Sequence, residues 1–392
     1  MIARPFWKNR IDAAWCEAPI VWLAGVRRSG KTTLAQSLGS DRILYMNCDL
    51  PVVGDMVANP ELFYRNCTRP VVVFDEIHQL QDPSRLLKIG ADVFPNLKIL
   101  ATGSSTLSAS KKFRDTLTGR KRLVHLTPVL WDELDAFQGA TLLKRLHHGG
   151  LPQALLAESK SPAFYREWMD SFFARDIQRL FGFRDADKFN TLFEYLMKQS
   201  GGLLEVTRAA SALGISRPTV ENHLRALEAT HAVTLVRPFY GGGQKELVKM
   251  PKAYGFDTGF VSFCRGWDPL RPDDYGVLWE HLVLEFLQAH AQTWKIQYWR
   301  DAAGREIDFV IQRNRDEIDV IECKWEPTQF DFASLKLFRS YYPRGNNYLV
   351  SPLTVDRYPK QVGELHVYIC NPNGWERHME LQRARDTVHS TN

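Results

Sequence analysis

The fold is decided by residues 20–33, Ile20-Val-Trp-Leu-Ala24-Gly25-Val26-Arg27-Arg28-Ser29-Gly30-Lys31-Thr32-Thr33. The first five residues are apolar and suited to a buried strand. The next eight satisfy G-x-x-x-x-G-K-[ST] in full, and a helical run, TTLAQSL, follows. Strand, glycine-rich loop and helix in that order form a phosphate-binding loop. Gly25 and Gly30 let the backbone curl so that amide groups can surround phosphate oxygens, and the helix adds its positive end. Lys31 sets a charge against the β- and γ-phosphates, and Thr32 offers a hydroxyl to Mg²⁺. Gly25, Arg27, Arg28, Ser29, Gly30, Lys31, Thr32 and Thr33 are therefore the candidate nucleotide-binding residues, with ATP and Mg²⁺ as the expected ligands.

Three further apolar runs flank this loop in the first third of the chain: RILYMN (42–47), PVVVFDE (70–76) and LKILATG (97–103). Continuous apolar runs alternating with helical segments predict a parallel sheet covered on both faces by helices, an α/β class fold. The run at 70–76 ends in Asp75 and Glu76, at the strand end where such sheets bind ligands. Asp75 is placed to hold Mg²⁺ through water, and Glu76 to orient and polarise an attacking water. The run at 97–103 leads into Ser104 and Ser105, small polar residues able to help position that water. Arg114, Arg120 and Arg122 follow, either as a solvated basic face or as a source of an arginine that reaches a neighbouring subunit's γ-phosphate.

The bulk numbers are compatible with this reading. The chain has 392 residues, 44% of them hydrophobic, with 50 Lys plus Arg against 45 Asp plus Glu and a net charge of +5. That length suggests two or three domains. The mild positive charge permits a polyanionic partner without requiring one. The six cysteines are scattered and include no Cys-x-x-Cys pair, which argues against a cysteine zinc knuckle and suits a reducing compartment. The charged N-terminus does not read as a secretory signal, and no apolar run of about 18 residues suggests a membrane span. A cytoplasmic protein with no membrane partner is expected.

From Trp131 to about Gln199, aromatic and charged residues recur at helical spacing, as in YREWMDSFFARDIQRLF (165–181). LLEVTRAASALGISRPTVENHLRALEAT (203–230) then has the layout of a helix-turn-helix. Ala209, Ala210 and Leu213 pack the first helix, Gly214 makes the turn, Ile215 plugs it and Ser216 caps the second helix, with Pro218 in its first turn. Val220, Leu224 and Leu227 give that helix an inner face. Arg217, Thr219, Asn222, His223 and Arg225 are left as DNA-contact candidates. VTLVRPFYGGGQKELVK reads as a hairpin wing bringing Lys245 and Lys249 near phosphates. Winged helices also dock proteins, so both uses stay open.

Beyond Asp268-Pro269 come a helical stretch, 277–290, and strand candidates at 296–300, 306–312, 318–324, 347–350 and 365–370. Glu322 and Lys324 are two apart and share a strand face. With Asp308 on a neighbouring strand and Glu280 on the preceding helix, they resemble the PD-(D/E)xK nuclease superfamily. In such a site Asp308 and Glu322 ligate Mg²⁺, and Lys324 holds the attacking water. A nuclease-like fold that binds DNA without cutting has the same pattern.

Taken together, GVRRSGKTT, VVVFDEIHQL, LATGSS, LTGR, GGLP (149–152), RDIQRL (175–180), FDTGF (256–260), LWEHLVLEFL and EIDFVI…IECK resemble a prokaryotic family of AAA-type ATPases. That family ends in a domain of formerly unknown function with a winged helix and a PD-(D/E)xK-like fold. The resemblance implies a P-loop AAA core at 1–130, a helical lid or linker at 131–200, a winged helix-turn-helix at 201–265, a nuclease-like α/β domain at 266–375 and a polar tail at 376–392. It implies that Ser104 or Ser105 is the polar sensor and that Arg120 and Arg175 are the arginine-finger candidates. It also implies a hexameric ring. The function expected is an ATP-hydrolysing motor or remodeller acting on DNA; the alternatives are an ATP-fuelled Mg²⁺-dependent nuclease and a signalling or scaffolding ATPase.

Overall fold

The computed structural model describes residues 2–103, 117–241, 250–291, 294–355 and 357–380. The apolar runs of the first third become β1 (Ile20–Ala24), β2 (Ile43–Asn47), β3 (Val71–Asp75) and β4 (Lys98–Thr102). A fifth strand, β5 (Lys121–His125), joins them in the order β2-β3-β4-β1-β5, with every neighbouring pair parallel. All five residues of β1 and of β3 are buried. Alternate side chains enter separate cores, because successive residues of a strand face opposite ways. Trp22, Val72 and Phe74 belong to the core on one face. Val21, Leu23, Val71 and Val73 belong to the core on the other.

That second core is closed by the helix Pro5–Glu17, which the apolar runs did not predict. Its signal is nonetheless local. Pro5 suits a first helical turn, and Trp7, Ile11 and Trp15 recur every fourth residue on one face, all of them buried.

The helical region follows as Leu142–His148, Pro152–Leu156, Pro162–Phe172 and Ala186–Lys198. The third of these continues without a break through a π-helical segment, Phe173–Gln178, and a last turn to Phe181. The segment expected to be a winged helix has Val206–Leu213, a left-handed Gly214 and the helix Arg217–Ala229, whose first turn is capped by the Ser216 side chain accepting from the Thr219 amide. Its wing comprises β7 (Val233–Pro238) and β8 (Lys252–Gly255), antiparallel, with the short β6 (Gly202–Leu203) beside β8. Lys245 and Lys249, expected at the wing tip, lie outside the described residues, as do Ser104, Ser105 and Arg114.

The C-terminal strands are β9 (Ile296–Arg300), β10 (Glu306–Gln312), β11 (Ile318–Cys323), β12 (Asn347–Val350), β13 (Tyr358–Val362) and β14 (Leu365–Cys370), packed with the helices Pro272–His290 and Ala333–Tyr341. They continue the wing instead of forming a separate sheet. β7 pairs in parallel with β9 through Arg237–Gln297 and Pro238–Tyr298. One nine-stranded sheet results, in the order β13-β14-β12-β11-β10-β9-β7-β8-β6.

The helical region is locked to this sheet by the meeting of GGLP and FDTGF. Asp257 accepts hydrogen bonds from the amides of Gly150 and Gly259 at 2.6 and 2.8 Å. A Cβ on Gly149, whose φ is +84°, would lie 1.9 Å from the Asp257 carboxylate, so no other residue fits there. Beside it, fully buried Arg145 donates to Val129 O at 2.6 Å and to Thr258 Oγ1 at 2.8 Å, and pairs with Glu285 of the helix Pro272–His290. Burial pushes the Glu285 carboxyl up, to about 8, against the pull of Arg145. Removing one partner of a buried pair leaves the other uncompensated. Arg145→Ala is therefore expected to cost about 3–5 kcal/mol of stability. Thermal melting checks this, and a melting temperature unchanged from wild type would refute it. Glu285→Gln should cost less, because Asp257 still compensates the guanidinium.

Candidate nucleotide site

At the carboxyl ends of β1, β3 and β4 lies a cleft of about 930 Å³. Its floor is the loop after β1. A Cβ on Gly25 would meet Leu126 O at 2.4 Å, and Gly30 takes φ +98°, so both glycines are needed for the curl. Lys31 Nζ reaches back across the loop and donates to Gly25 O at 2.9 Å and Val26 O at 3.0 Å. Burial pulls its pKa down, while Glu76, Asp176 and Asp75 pull it up. Thr32 and Thr33 line the cleft and are exposed to it.

The acidic end of β3 comes next. Asp75 is buried and doubly held, accepting from Tyr45 Oη at 2.6 Å and from Thr102 Oγ1. Thr102 in turn accepts from the Glu76 amide at 3.0 Å. Glu76 lines the cleft in a left-handed conformation, φ +55°, uncommon for a residue with a side chain. Burial raises its pKa, against the lowering effect of Lys31. Tyr45 and Thr102 were not singled out from the sequence. Thr102 sits two residues before Ser104, in the same small-polar strand end, and its hydroxyl bonds Asp75 and the Glu76 amide.

Mg²⁺ is typically held by one or two carboxylates or hydroxyls together with substrate phosphates. The Thr32 hydroxyl and the Glu76 carboxylate in the cleft wall fit that demand, with Asp75 buried beside Glu76. Ser29 Oγ, buried and without a hydrogen-bond partner within the described chain, is a further polar group in the loop itself.

The third wall comes from the helical region. Arg175, Asp176 and Arg179 line the cleft from the π-helical segment and the turn after it. Arg27 lies 3.6 Å from Asp176, and Arg28 lies 3.4 Å from Glu167. Trp168 Nε1 donates to Arg27 O at 3.0 Å. The helix Pro162–Phe172 thus grips the outer curve of the loop. Arg175, expected as an arginine-finger candidate, lines the cleft of its own chain, because the helix folds back over its own loop. Arg120 does not line that cleft; it is at the surface, 2.5 Å from Asp92.

An apolar part of the cleft lining comes from Ile2, Phe137, Pro152 and Leu156. Arg4, buried and paired with Glu133 at 2.6 Å, braces the loop by donating to Ser29 O at 3.2 Å. No local signal in MIARPFW marks it. The segment after the helix Arg217–Ala229 also reaches the cleft. Thr230, just after the helix Arg217–Ala229, lines it, and His231 stacks on His125 of β5 with ring centres 4.0 Å apart. Burial holds His231 at about 4 and His125 well below its usual range, and Lys31 adds to both shifts.

Of the DNA-contact candidates, Arg217, Asn222 and Arg225 are exposed and Thr219 is half-buried. Arg217 pairs with Glu221 at 2.9 Å, and Arg225 donates to Asn222 Oδ1 at 3.2 Å. His223 is not on that face. It is buried against Phe183 and Phe189, with centroid distances of 4.6 and 5.4 Å, and burial lowers its pKa. The helix turns one more side chain inward than its aliphatic stripe suggested, because aromatic residues from outside the motif cover that position.

The four C-terminal residues come together. Lys324 Nζ lies 3.4 Å from Asp308 and 3.3 Å from Glu322, and the Cys323 amide donates to Asp308 at 2.8 Å. Glu280 joins from the helix and accepts from Tyr254 Oη at 2.5 Å. Burial and the neighbouring Asp308 hold Glu322 well above the usual carboxylate range. A residue the sequence did not flag enters the cluster: Lys252 of β8, 3.1 Å from Glu280 and 2.5 Å from Glu306. Among the described residues, no group of three or more His, Cys, Asp or Glu is arranged to hold a metal ion. Glu322 Oε1 is buried without a hydrogen-bond partner among the described residues, so with Asp308 it forms a carboxylate pair of the kind that holds Mg²⁺.

Among the described residues, no helix is long and apolar enough to cross a membrane. Three family models match the sequence. Residues 17–134 match an AAA domain, residues 139–271 a domain of unknown function (DUF8612), and residues 275–368 a second domain of unknown function (DUF4143). An uncharacterized protein of Mycobacterium tuberculosis is 27% identical over 312 residues, covering 77% of this chain and 70% of its own length. An uncharacterized protein of Haemophilus influenzae is 22% identical over 335 residues, covering 78% and 82%. Among solved structures, a signal transduction ATPase with numerous domains from Pyrococcus horikoshii is 12% identical. The match covers 74% of this chain but only 47% of that one, with a TM-score of 0.29, too low for a shared overall arrangement.

Proposed function

We propose, from the premise that this is a prokaryotic AAA-type ATPase chain with a C-terminal domain of unknown function, that it hydrolyses ATP and uses the cycle to remodel or translocate DNA. The observation that carries the ATPase reading is the meeting of Lys31, Thr32 and Glu76 in the lining of one cleft, with Asp75 buried next to Glu76 at the end of β3. In this reading the triphosphate lies over the loop, and Lys31 leaves its own carbonyls to pair with phosphate oxygens. Arg175 and Arg179 approach from the lid, and the base lies against the apolar part of the lining. Mg²⁺, when bound, neutralises charge on the transferring phosphoryl group. Glu76 accepts a proton from the attacking water, and Thr102 fixes the strand end by bonding Asp75 and the Glu76 amide together.

Coupling to the winged helix is supported by Thr230 in the cleft wall and by the His125–His231 stack. A change at the phosphates is felt one contact away by the helix that carries Arg217, Asn222 and Arg225 on its outer face. A ring of six copies belongs to the same proposal, as does a cytoplasmic location. Arg120, absent from its own cleft and held outward by Asp92, suits a role at a neighbour's phosphates.

ATPase rate measured with and without single-stranded, duplex and branched DNA tests this. DNA should raise the rate, binding should weaken steeply with salt, and Arg217→Ala with Arg225→Ala should remove the stimulation. Equal rates at every DNA, with no salt-dependent binding, would end the DNA reading. Copurification of a protein partner under those conditions would favour the scaffolding alternative.

A further inference from the structure

Arg4 lies outside the loop motif, yet its side chain meets the loop in a fixed geometry. Nε and Nη2 form a fork on the Glu133 carboxylate, at 2.7 and 2.6 Å. Glu133 is itself held, accepting from Trp7 Nε1 at 3.3 Å and from the Leu130 amide at 3.1 Å. Arg4 and Glu133 are each 5% exposed. A guanidinium is planar, so one fixed edge sets the direction of its other N–H groups. Those groups donate to two carbonyls, Thr127 O at 3.4 Å and Ser29 O at 3.2 Å.

Ser29 O belongs to the peptide that joins Ser29 to Gly30. In a trans peptide the carbonyl and the following amide point in opposite directions. Holding Ser29 O against Arg4 therefore turns the Gly30 N–H away from Arg4. A phosphate-binding loop works by turning its amides onto the anion. Gly30, at φ +98°, has no side chain to restrain its backbone, and glycine populates many conformations. A restraint on this peptide has to come from elsewhere in the fold.

We propose that Arg4 is a positioning residue for the nucleotide: by fixing Ser29 O it presents the Gly30 amide to the β-phosphate, and Glu133 serves it by fixing the guanidinium. The proposal rests on the ATP-binding reading of the cleft. The charge of Arg4 is already neutralised by Glu133, so it acts through the loop and not as a phosphate ligand. The β-phosphate is common to ATP and ADP, and its contact with the amide is made equally before and during phosphoryl transfer. An interaction of that kind sets affinity and leaves kcat alone.

Arg4→Met alone would leave the Glu133 carboxylate buried and unpaired. The test is therefore Arg4→Met combined with Glu133→Gln, whose amide oxygen can still accept from Trp7 and Leu130. ADP and ATP binding, by calorimetric titration with Mg²⁺ present, and turnover at saturating ATP are measured beside wild type. Both dissociation constants should rise by the same factor, at least about tenfold, the effect of one lost hydrogen bond to a charged group. The kcat should stay within about twofold of wild type. A folded variant that binds ADP as wild type does overturns the proposal, and so does a loss confined to ATP or to kcat. Should the double variant not fold, Arg4→Lys decides. Its ammonium keeps a charge against Glu133 but lacks the fork that also reaches Ser29 O; ADP binding should weaken, and unchanged affinity overturns the proposal. Wild type that binds neither nucleotide would end the reading of the cleft itself, and this proposal with it.

Discussion

Glu76→Gln is expected to take up ATP normally and turn it over about 10²–10⁴-fold more slowly than wild type, the usual contribution of a positioned general base. Glu76 ends β3 in a left-handed turn, its amide donating to Thr102 Oγ1 and its side chain in the cleft. Glutamine keeps the size and can occupy the same turn. It cannot accept the water's proton, so the loss falls on the chemical step and leaves binding intact. Burial raises the Glu76 pKa, so the active carboxylate form is gained as pH rises through that raised value. The wild-type rate should climb on the acid side with that titration, and the Gln variant should lack the limb. Single-turnover hydrolysis beside equilibrium nucleotide binding separates the two steps. A variant with unimpaired turnover would remove Glu76 from the mechanism.

Lys31→Ala is expected to lower kcat by about 10²–10³-fold, the loss typical of deleting one preorganised group at the developing charge. Unlike Glu76→Gln, it should also weaken nucleotide binding. The charge that meets the β- and γ-phosphates is absent in both ground and transition states. In the structure Lys31 Nζ rests on Gly25 O and Val26 O, so the residue also ties the loop's first turn to its helix. Nucleotide titration followed by steady-state turnover reads both effects. Turnover retained at saturating ATP would contradict the assignment of this cleft.

The fold was legible where its causes are local. β1 to β4 are uninterrupted apolar runs whose alternate residues enter two cores, and the Gly25–Thr32 spacing is written in consecutive residues. β9 to β12 and β14 were equally readable from their apolar runs, but β13 was not, because YPKQV lies exposed at the sheet edge. β5 was not, because KRLVH has only Val124 buried and leaves Arg122 and Leu123 exposed at the sheet edge. Of the groups a motif names, Lys31, Thr32 and Glu76 line one cleft and Asp75 is buried beside Glu76. Groups supplied by distant elements were not legible. Arg4 braces the loop from far upstream, and nothing in its neighbourhood announces a buried guanidinium. Lys252 stands in PKAYG, where a lysine on a wing reads as a surface charge; only the carboxylates of other elements make it internal. His223 erred the other way. Its position on the helix looked outward, and two phenylalanines brought in by tertiary packing cover it.

The parallel ladder between β7 and β9 has a mechanical consequence. Two backbone pairings and the Lys252 contacts join the wing to the C-terminal strands, and the Arg145, Asp257 and Glu285 contacts join the helical region to the same body, so any nucleotide-driven shift at Thr230 is expected to carry the helix-turn-helix and the C-terminal strands together.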